Sequence, residues 1–430
     1  MLGRCRRRVR GGARPAWSVR QGARAAAATL AVAAGLVAAP APRSAAGAVL
    51  RWHAGRLGLQ ASARRRLALR WPRLDLRLRL GGRLHLAGAA FDGGRPRSAE
   101  DVFVRRGRIY ALARLGRRWA LKAEYELAPG REGWRNLWLR HRPGRGLSIR
   151  VGNFVAPFSM AEVGSSNYAV FAERALPSAL APSYQTAVGL RGKGRLRWAG
   201  PSMRWTAAGA ATIEPLGDAD HDRHGSSHWG LVGRATSATV LAHRALVHVG
   251  ASLEHRFLDG SSRYRVRSRG EVGSGAAPFT TGRLRDVDRA LTVGLEAAAL
   301  WGPLAVQAEY LRSRLWRRGR PDPSFDGWYV HASWVLTGEA RRYAHSAGIL
   351  GGVAPRRPWG AVEVGLRYSA LDLNDETVTG GRGHAAAATI GWHLRRNLRL
   401  LLELDRLAGV DHDLEPLSQR ALQVRLLVFF

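Results

Sequence analysis

Apolar residues occupy every second position in short segments that recur along most of the chain. Between residues 74 and 80, four leucines alternate with Asp75, Arg77 and Arg79. A period of two places successive side chains on opposite faces of a β-strand, whereas an amphipathic helix repeats at 3.6 residues. The same alternation recurs at 121–127, 147–151, 291–297, 304–310, 328–336, 362–368, 390–394 and 398–404. This pattern predicts an all-β protein.

Two all-β architectures fit such alternation: a soluble sandwich with an apolar core, and a membrane barrel with its apolar face outward and its polar face lining a lumen. The last segment favours the barrel, because Leu422, Val424, Leu426, Val428 and Phe430 alternate up to the final residue. A soluble protein would need a partner to bury that strand. We therefore predict a transmembrane antiparallel β-barrel, in which 16 strands of ~10 residues would use ~160 residues. Phe430 would be the terminal aromatic that the outer-membrane barrel assembly machinery recognises.

The first 48 residues have the layout of a secretory signal peptide. They contain nine arginines, no acidic residue and an alanine-rich apolar run at 25–39. Small-x-small patterns end at Ala41 and Ala48, and we place cleavage near Ala48, so that residues 49–430 form the barrel domain. An arginine-rich organelle transit peptide is the alternative. The only cysteine, Cys5, would leave with the leader, which excludes disulfides and a cysteine nucleophile from the mature chain.

The charge of the chain is strongly positive and almost wholly arginine. Sixty-eight Lys and Arg residues oppose 32 Asp and Glu residues, for a formal net charge of +36, and Lys122 and Lys193 are the only lysines. Without the nine arginines of the leader, the charge is +27. Because 46% of the residues are hydrophobic, the chain has enough apolar surface to fold despite this charge. The excess of arginine indicates anionic partners.

Five short blocks of the sequence carry a resemblance to a known family. They are residues 150–154, the Pro-Phe-Ser at 157–159, the Phe-Ala-Glu-Arg-Ala-Leu-Pro run at 171–177, the segment 328–339 ending in Leu-Thr-Gly-Glu, and residues 371–375. Together they resemble the phosphate-selective porin O and P family of bacterial outer-membrane channels. The resemblance implies a 16-stranded homotrimeric barrel, surrounded by outer-membrane lipid, through which inorganic phosphate or other small anions diffuse.

One segment concentrates arginine at alternate positions. The four residues are Arg263, Arg265, Arg267 and Arg269. If the chain is extended there, all four guanidiniums project to one side at intervals of about 7 Å, twice the strand rise. Guanidinium is always charged and forms bidentate bonds to phosphate, so such a row is a ladder of anion sites. The resemblance adds that phosphate-selective members line their pore with arginines. The alternative is that residues 260–275 form an extracellular loop.

Three further cations are candidates for the anion pathway. Lys122 lies on the polar face of its segment, where it either contributes to an anion site or pairs with Glu124 or Glu126. Arg150 alternates into the same lumen. The resemblance places Arg174 in an inward-folded constriction loop, where it either tethers the loop or contacts the solute.

Departures from the family pattern bear on the substrate. Val155 and Asn167 stand at positions where the resemblance leads us to expect lysines. Phosphate capture against chloride requires convergent, directional donors at a constriction. We therefore predict a general anion channel with a modest preference for phosphate or polyphosphate.

Other function classes find less support in the sequence. The histidines and aspartates at 218–228 could bind a divalent metal, but an outer loop explains them as well. No Ser, His and acid trio or phosphate-cradling loop is recognisable, so we predict neither an enzyme nor a cofactor. Aromatics such as Trp328, Trp334 and Trp392 fall on apolar faces, which argues against a nucleic-acid binder. A basic surface protein that binds anionic polymers, or a barrel enzyme, remains the alternative to a channel.

Overall fold

The computed structural model describes nine segments of the chain: residues 49–54, 57–62, 65–93, 100–196, 202–216, 229–242, 245–259, 264–273 and 277–430. The predicted signal peptide, the histidine and aspartate cluster at 218–228, and Arg263 lie outside these described residues.

β-Strands make up most of the described residues, as the alternation predicts. The strands are β1 (Val49–Ala54), β2 (Leu57–Ser62), β3 (Arg65–Trp71), β4 (Leu76–Gly93), β5 (Glu100–Leu115), β6 (Trp119–Glu126), β7 (Gly133–His141), β8 (Leu147–Val155), β9 (Tyr184–Leu196), β10 (Met203–Ile213), β11 (Trp229–Ala242), β12 (Ala245–Phe257), β13 (Arg267–Ser268), β14 (Phe279–Thr280), β15 (Val287–Trp301), β16 (Leu304–Arg317), β17 (Ser324–Val335), β18 (Tyr343–Ala344), β19 (Ile349–Leu350), β20 (Ala361–Asp375), β21 (Val378–Arg395), β22 (Leu398–Val410) and β23 (Pro416–Phe429). A short helix, α1 (Met160–Val163), and two 3-10 turns, Pro72–Leu74 and Leu176–Ala179, complete the elements.

Sixteen of these strands form one closed antiparallel barrel. They are β4 to β12, β15 to β17 and β20 to β23, each paired with the next. The barrel closes where β23 pairs with β4, with Phe429 opposite Arg83. At the end of this seam, the backbone N–H and carbonyl of Phe430 both bond to Gly82. The predicted 16-stranded barrel, and the place of the last segment in it, are confirmed.

The two faces of the barrel wall are inverted relative to a soluble protein. On β15, Thr292 and Glu296 face inward and are buried, whereas the outward Val293 and Leu295 are 37% and 60% exposed. Trp301 at the end of that strand is 75% exposed. Large exposed apolar side chains therefore cover the outside, and the polar faces line the lumen. No helix among the described residues is both long and apolar enough to cross a membrane.

The first barrel strand begins later than the alternation suggests. Leu74 belongs to a 3-10 turn, and Asp75 caps it in the left-handed conformation at φ 44°, so β4 starts at Leu76. Upstream, β1, β2 and β3 form a meander, in which β3 pairs with β4 from Trp71 opposite Leu76. This meander borders the seam at the start of β4.

The two ends of the barrel differ in their connections. At the end where β23 finishes, four pairs of neighbouring strands are joined by the short turns 116–118, 142–146, 302–303 and 396–397. We call this the turn end and the opposite one the loop end. Three long segments interrupt the pattern: the first lumenal loop (residues 156–183) and the second lumenal loop (residues 258–286) at the loop end, and the lumenal turn (residues 336–360) at the turn end.

Candidate anion pathway in the lumen

The first lumenal loop crosses the lumen and is held by buried charges on several strands of the wall. Glu173 accepts a bidentate pair of hydrogen bonds from Arg105 on β5. The guanidinium of Arg425 on β23 donates to the same carboxylate at 2.6 Å. Although burial alone raises the pKa of Glu173, the guanidiniums of Arg105 and Arg425 hold that pKa well below its usual range. Glu173 is therefore a charged anchor of the loop.

The backbone of the same loop is tied to β22. The Ala172 N–H donates to the Glu403 carboxylate at 2.7 Å. Arg399 donates to the carbonyl of Ala169, and at 2.8 Å to that of Val170. Because each bond joins the loop to a strand on the opposite side of the barrel, the loop spans the lumen.

Arg174 is partly engaged in holding the loop together. It donates to the carbonyls of Ala161 and Glu162 at 3.0 and 3.2 Å and lies 3.3 Å from the Glu162 carboxylate. These contacts tie the loop to the short helix α1, which Ser159 caps by accepting from the Glu162 N–H at 3.3 Å. The Arg174 side chain is still 29% exposed. The structure thus shows a tether that also faces open space.

The described arginines of the four-arginine segment, Arg265, Arg267 and Arg269, lie in the second lumenal loop and not in a barrel strand. Residues 264–268 run antiparallel to 279–284, with Tyr264 opposite Leu284 and Arg267 opposite Thr280. Tyr264, Val266 and Ser268 are buried, whereas Arg265 and Arg267 are half-buried and Arg269 is exposed. The extended alternation therefore holds for the described residues, on a hairpin folded into the lumen.

Glu271 joins the two lumenal loops to the wall. Its carboxylate accepts from the backbone N–H of Leu176 in the first lumenal loop at 2.7 Å. It also accepts from the side chains of Arg367 and Ser369 on β20. The packing of the two loops against each other is therefore fixed by one buried carboxylate.

A cavity of about 310 Å³ lies between the two lumenal loops and the wall. Its charged lining residues are Arg105, Arg106, Arg131, Arg135, Arg174, Arg267, Arg269, Glu173 and Glu271. Seven arginines thus face two glutamates, and both carboxylates are the loop anchors described above. The cavity is positive in net charge. Sequence reasoning found three of these arginines and missed Arg105, Arg106, Arg131 and Arg135.

Two consecutive arginines point into the lumen because β5 contains a bulge. His85 on β4 lies opposite Arg106, but the next residue, Leu86, lies opposite Val104, so Arg105 is an extra residue in the ladder. Such a bulge re-aims side chains at the point of the irregularity. The Arg-Arg doublet, which interrupts the alternation of β5, is the sequence signal that could have revealed it.

Arg106 differs from its neighbour in having no acidic partner. Its side chain is 9% exposed, and among the described residues it makes no hydrogen bond or ion pair, with its Nε buried. It lines the large cavity and a second one of about 90 Å³, which Tyr168, His331 and Arg341 also line. The Arg106 guanidinium therefore lies where the two cavities adjoin and has no counter-ion among the described residues.

Lys122 pairs within its own strand. Its ammonium lies 2.6 Å from the Glu124 carboxylate and 5.1 Å from the centre of the Tyr110 ring. The same carboxylate accepts from Arg108 at 3.2 Å and from Asn136 at 3.0 Å. Of the two sequence interpretations, the structure shows the pairing with Glu124.

Arg150 belongs to a second group of arginines, on the wall toward the turn end. Arg140 on β7 lies directly opposite Arg150. Arg191 on β9 lies opposite Ser148, two residues before Arg150 on β8. The guanidinium of Arg150 lies 4.7 Å from the Trp138 ring and 5.0 Å from the Phe154 ring. Among the described residues, these three arginines have no ion pair or hydrogen bond. We call Arg140, Arg150 and Arg191 the wall arc.

The backbone geometry of β8 explains why position 152, within the block at 150–154, is a glycine. Gly152 has φ 118°, and a Cβ there would lie 2.2 Å from the carbonyl oxygen of Leu137 on β7. Only glycine fits this conformation and close approach. The block therefore sets the wall geometry beside Arg150.

The lumenal turn enters from the opposite end of the barrel. Arg341 forms a bidentate pair with Glu363 on β20, at 2.5 and 2.7 Å. Arg234 on β11 donates at 2.8 and 2.6 Å to the carbonyls of Ala347 and Gly348. Buried charges thus hold this segment across the lumen as they hold the first lumenal loop.

These features define a class. A closed 16-stranded barrel with an apolar exterior and loops folded into a charged lumen is the architecture of an outer-membrane porin. Porins are channels. Residues 78–430 match the family described as phosphate-selective porin O and P. The chain therefore belongs to this family and to the bacterial outer membrane, so the turn end is periplasmic and the loop end faces outward.

Two relatives are similar in sequence. Porin O of Pseudomonas aeruginosa is 25% identical over 338 residues, which cover 71% of this chain and 74% of that protein. A protein of unknown function from Caulobacter vibrioides is 28% identical over 311 residues, which cover 70% of this chain. The match spans only 61% of the Caulobacter protein's length.

Solved structures share the fold at low sequence identity. The trimer form of OmpT, an outer membrane protein of Vibrio cholerae, gives a TM-score of 0.52 at 11% identity, covering 83% of this chain and 99% of that one. An anion-selective porin from Comamonas acidovorans gives 0.50 at 11% identity, covering 83% of this chain and 100% of that one. At this identity, the likeness supports the barrel fold alone.

Proposed function

We propose that this outer-membrane porin is a passive diffusion channel for small anions, and that the arginines of its lumen set the selectivity. The observation that carries the proposal is the buried guanidinium of Arg106, which has no acidic partner among the described residues. A buried guanidinium without a counter-ion is costly unless an anion supplies one. Because Arg106 lies where two cavities adjoin, a permeating anion reaches it from either side.

The fixed charges of the large cavity support the same conclusion. Its two carboxylates are engaged by Arg105, Arg425, Arg367 and the backbone N–H of Leu176. These lumenal carboxylates hold the loops in place and are not open to cations. A cleft lined by one sign of charge concentrates ions of the opposite sign, and here that sign favours anions.

The arginines form two successive stages along the lumen. In the outer stage, Arg267, Arg269 and Arg174 line the cavity with Arg106, and Arg263 and Arg265 belong to the same sequence ladder. The inner stage is the wall arc, in which the guanidiniums of Arg140 and Arg150 lie 5.6 and 4.7 Å from the centre of the Trp138 ring. Several sites of moderate strength let an ion enter and also leave.

The substrate preference we propose is broad. Convergent arginines suit the bidentate geometry of phosphate, and the family is described as phosphate-selective. However, Val155 and Asn167 supply no ammonium, and Lys122 is paired with Glu124. We therefore propose a general anion channel with a modest preference for phosphate or polyphosphate.

Reversal potentials in a KCl gradient test the anion selectivity. We expect anion preference in the wild-type channel and a weaker preference in a variant with serine at positions 263, 265, 267 and 269. Cation preference in the wild-type channel would contradict the proposal. Block of the chloride current by phosphate tests the substrate: weak block at millimolar phosphate is expected, and half-block at micromolar phosphate would show a high-affinity site.

The cellular context completes the proposal. We propose export by the leader at 1–48, recognition of Phe430 by the barrel assembly machinery, and assembly into a homotrimer. The exposed aromatic at the seam supports the second point, since the Phe430 ring is 60% exposed. Phe430→Ser should lower the amount of folded barrel in the outer membrane, whereas Phe257→Ser, a change far from the seam, should not.

A further inference from the structure

The outward face of the barrel changes from apolar to basic near the loop end of β15 and β16. On β15, the outward series of Leu295 and Val293 leads to Arg289. On β16, the outward Tyr310 is followed by Arg312 and Arg314. All three arginines are exposed. We call Arg289, Arg312 and Arg314 the outer-rim patch.

The three arginines are neighbours on one surface. In the register between β15 and β16, Arg289 lies opposite Trp316 and Arg314 lies opposite Leu291. The guanidiniums of Arg289 and Arg314 lie 5.1 and 5.4 Å from the centre of the Trp316 ring. One indole therefore holds two like charges beside each other, and Arg312 is the next outward residue on β16.

The patch keeps a net positive charge within the described part of the chain. Among the described residues, none of the three arginines forms an ion pair within 4.0 Å, although Asp326 lies opposite Arg312 across the β16–β17 pair. The contrast is Arg382 on the outward face of β21, which binds Asp372 at 2.6 Å. A patch of three arginines that faces one carboxylate is positive in net charge, and on the outside of the wall it is complementary to an anionic surface.

The height of the patch matches a lipid headgroup. Trp301 and Arg289 mark the two ends of the outward face of β15. The twelve intervening steps span roughly 40 Å along the strand, which a tilt of about 40° reduces to roughly 30 Å along the barrel axis. Since the apolar band of such barrels is about 25 Å tall, Arg289 lies at the outer edge of the band. Arg314 and Arg312 lie opposite Leu291 and Val293, two and four residues further along β15 toward Trp301.

We propose that the outer-rim patch binds the phosphate groups of an anionic lipid of the outer leaflet. Arginine forks match phosphate oxygens in a bidentate manner, and the acyl chains of such a lipid would lie along Leu295 and Tyr310, which face each other below the patch. The barrel wall separates this site from the lumen. The inference therefore depends on the outer-membrane location and is independent of the anion selectivity proposed above.

The experiment compares lipid binding by three forms of the purified full-length protein in detergent. The first is the wild type, the second is Arg289→Gln/Arg312→Gln/Arg314→Gln, and the third is a control with the same loss of charge in the periplasmic turns, Arg117→Gln/Arg118→Gln/Arg396→Gln. The probe is diphosphoryl lipid A, with the dephosphorylated lipid as its partner, and binding is measured by native mass spectrometry.

The patch variant should bind diphosphoryl lipid A at least about tenfold more weakly, since each arginine near a charged membrane surface contributes on the order of fivefold. The control variant should bind it as the wild type does, and the patch variant should keep the wild-type conductance. Equal binding by all three forms, or equal losses in both variants, would overturn the proposal. Loss of trimers without loss of lipid would reassign the patch to subunit contact. If the patch variant does not fold, equal binding of the two lipids by the wild type decides against the inference.

Discussion

Two groups of lumenal arginines share a side chain and differ in what faces them. Around the first lumenal loop, Arg105 and Arg425 bind the carboxylate of Glu173. In the wall arc, Arg140 and Arg150 lie opposite each other with aromatic rings beside them and no acid between them among the described residues. The comparison shows that the partner, and not the residue type, separates arginines that hold the fold from arginines that are open to solute.

The largest expected effect concerns the anchoring group. Glu173→Gln leaves Arg105 and Arg425 buried without their counter-charge, and breaking such a pair costs ~3–5 kcal/mol. We expect a large drop in the thermal stability measured by the heat-induced mobility shift, and a larger conductance because the first lumenal loop loses one of its anchors. Glu415→Gln, on an exposed loop, is the control. Unchanged stability and conductance would show that Glu173 does not anchor the first lumenal loop.

The pH dependence sharpens the same side of the comparison. Because the pKa of Glu173 in the folded protein lies well below its usual range, its stabilisation is fully present above the unfolded pKa of ~4.3 and is lost as the pH falls through the folded pKa. Wild-type stability should therefore hold from neutral to mildly acidic pH and fall in strong acid. The Glu173→Gln variant should lack that component, and parallel pH profiles would contradict this.

An open arginine in the cavity should act on selectivity. Arg106→Gln removes a cation without breaking an ion pair, so we expect the anion-to-cation permeability ratio to fall by roughly fivefold, since one charge at ~4 Å in water is worth ~1 kcal/mol. Arg105→Gln is the matched comparison, because it should lower stability first. If Arg106→Gln lowers stability as much and leaves the reversal potential unchanged, Arg106 is structural.

In the wall arc, removing an arginine should raise stability, whereas removing an anchoring charge lowers it. Arg150→Gln relieves a directly opposed pair of like charges, which destabilises a sheet by ~0.2–1 kcal/mol. We therefore expect the variant to unfold at a slightly higher temperature while its anion conductance decreases. A decrease of both would mean that an acidic partner of Arg150 has been overlooked.

The smallest effect on transport is expected at Lys122. Since its ammonium is engaged by Glu124, Lys122→Ala should leave the phosphate block of chloride current unchanged. It should lower stability less than Glu173→Gln does, because Arg108 and Asn136 still bind the Glu124 carboxylate. Loss of phosphate block in this variant would instead locate a phosphate site at Lys122.

The strand architecture was predictable because its signal is local. A period of two in segments such as 291–297 fixes the faces of each strand, and the alternation up to Phe430 indicates the barrel. The interior of the lumen was not predictable in the same way. Which carboxylate meets which guanidinium depends on loops that cross the barrel, as with Glu173 and Arg425, and no local pattern encodes such a contact.

In the candidate site, too, the face of a side chain could be predicted from the sequence but its partner could not. The alternation at 264–268 correctly separated buried from open side chains, but it could not reveal that the hairpin lies in a loop inside the barrel. Lys122 could be placed on the polar face, while its partner could be narrowed only to Glu124 or Glu126. Arg106 was missed because a bulge at Arg105 breaks the period from which faces are assigned.

The pairing of β23 with β4 joins the two strands of the barrel that are farthest apart in sequence. Until that pairing forms, the sheet has two unpaired edges, and each offers a row of free N–H and carbonyl groups to any other chain. Loop-closure entropy opposes such distant contacts and makes them late events in folding. During biogenesis, this chain therefore remains open to edge-to-edge aggregation until its last strand arrives, and a single pairing step removes both edges at once.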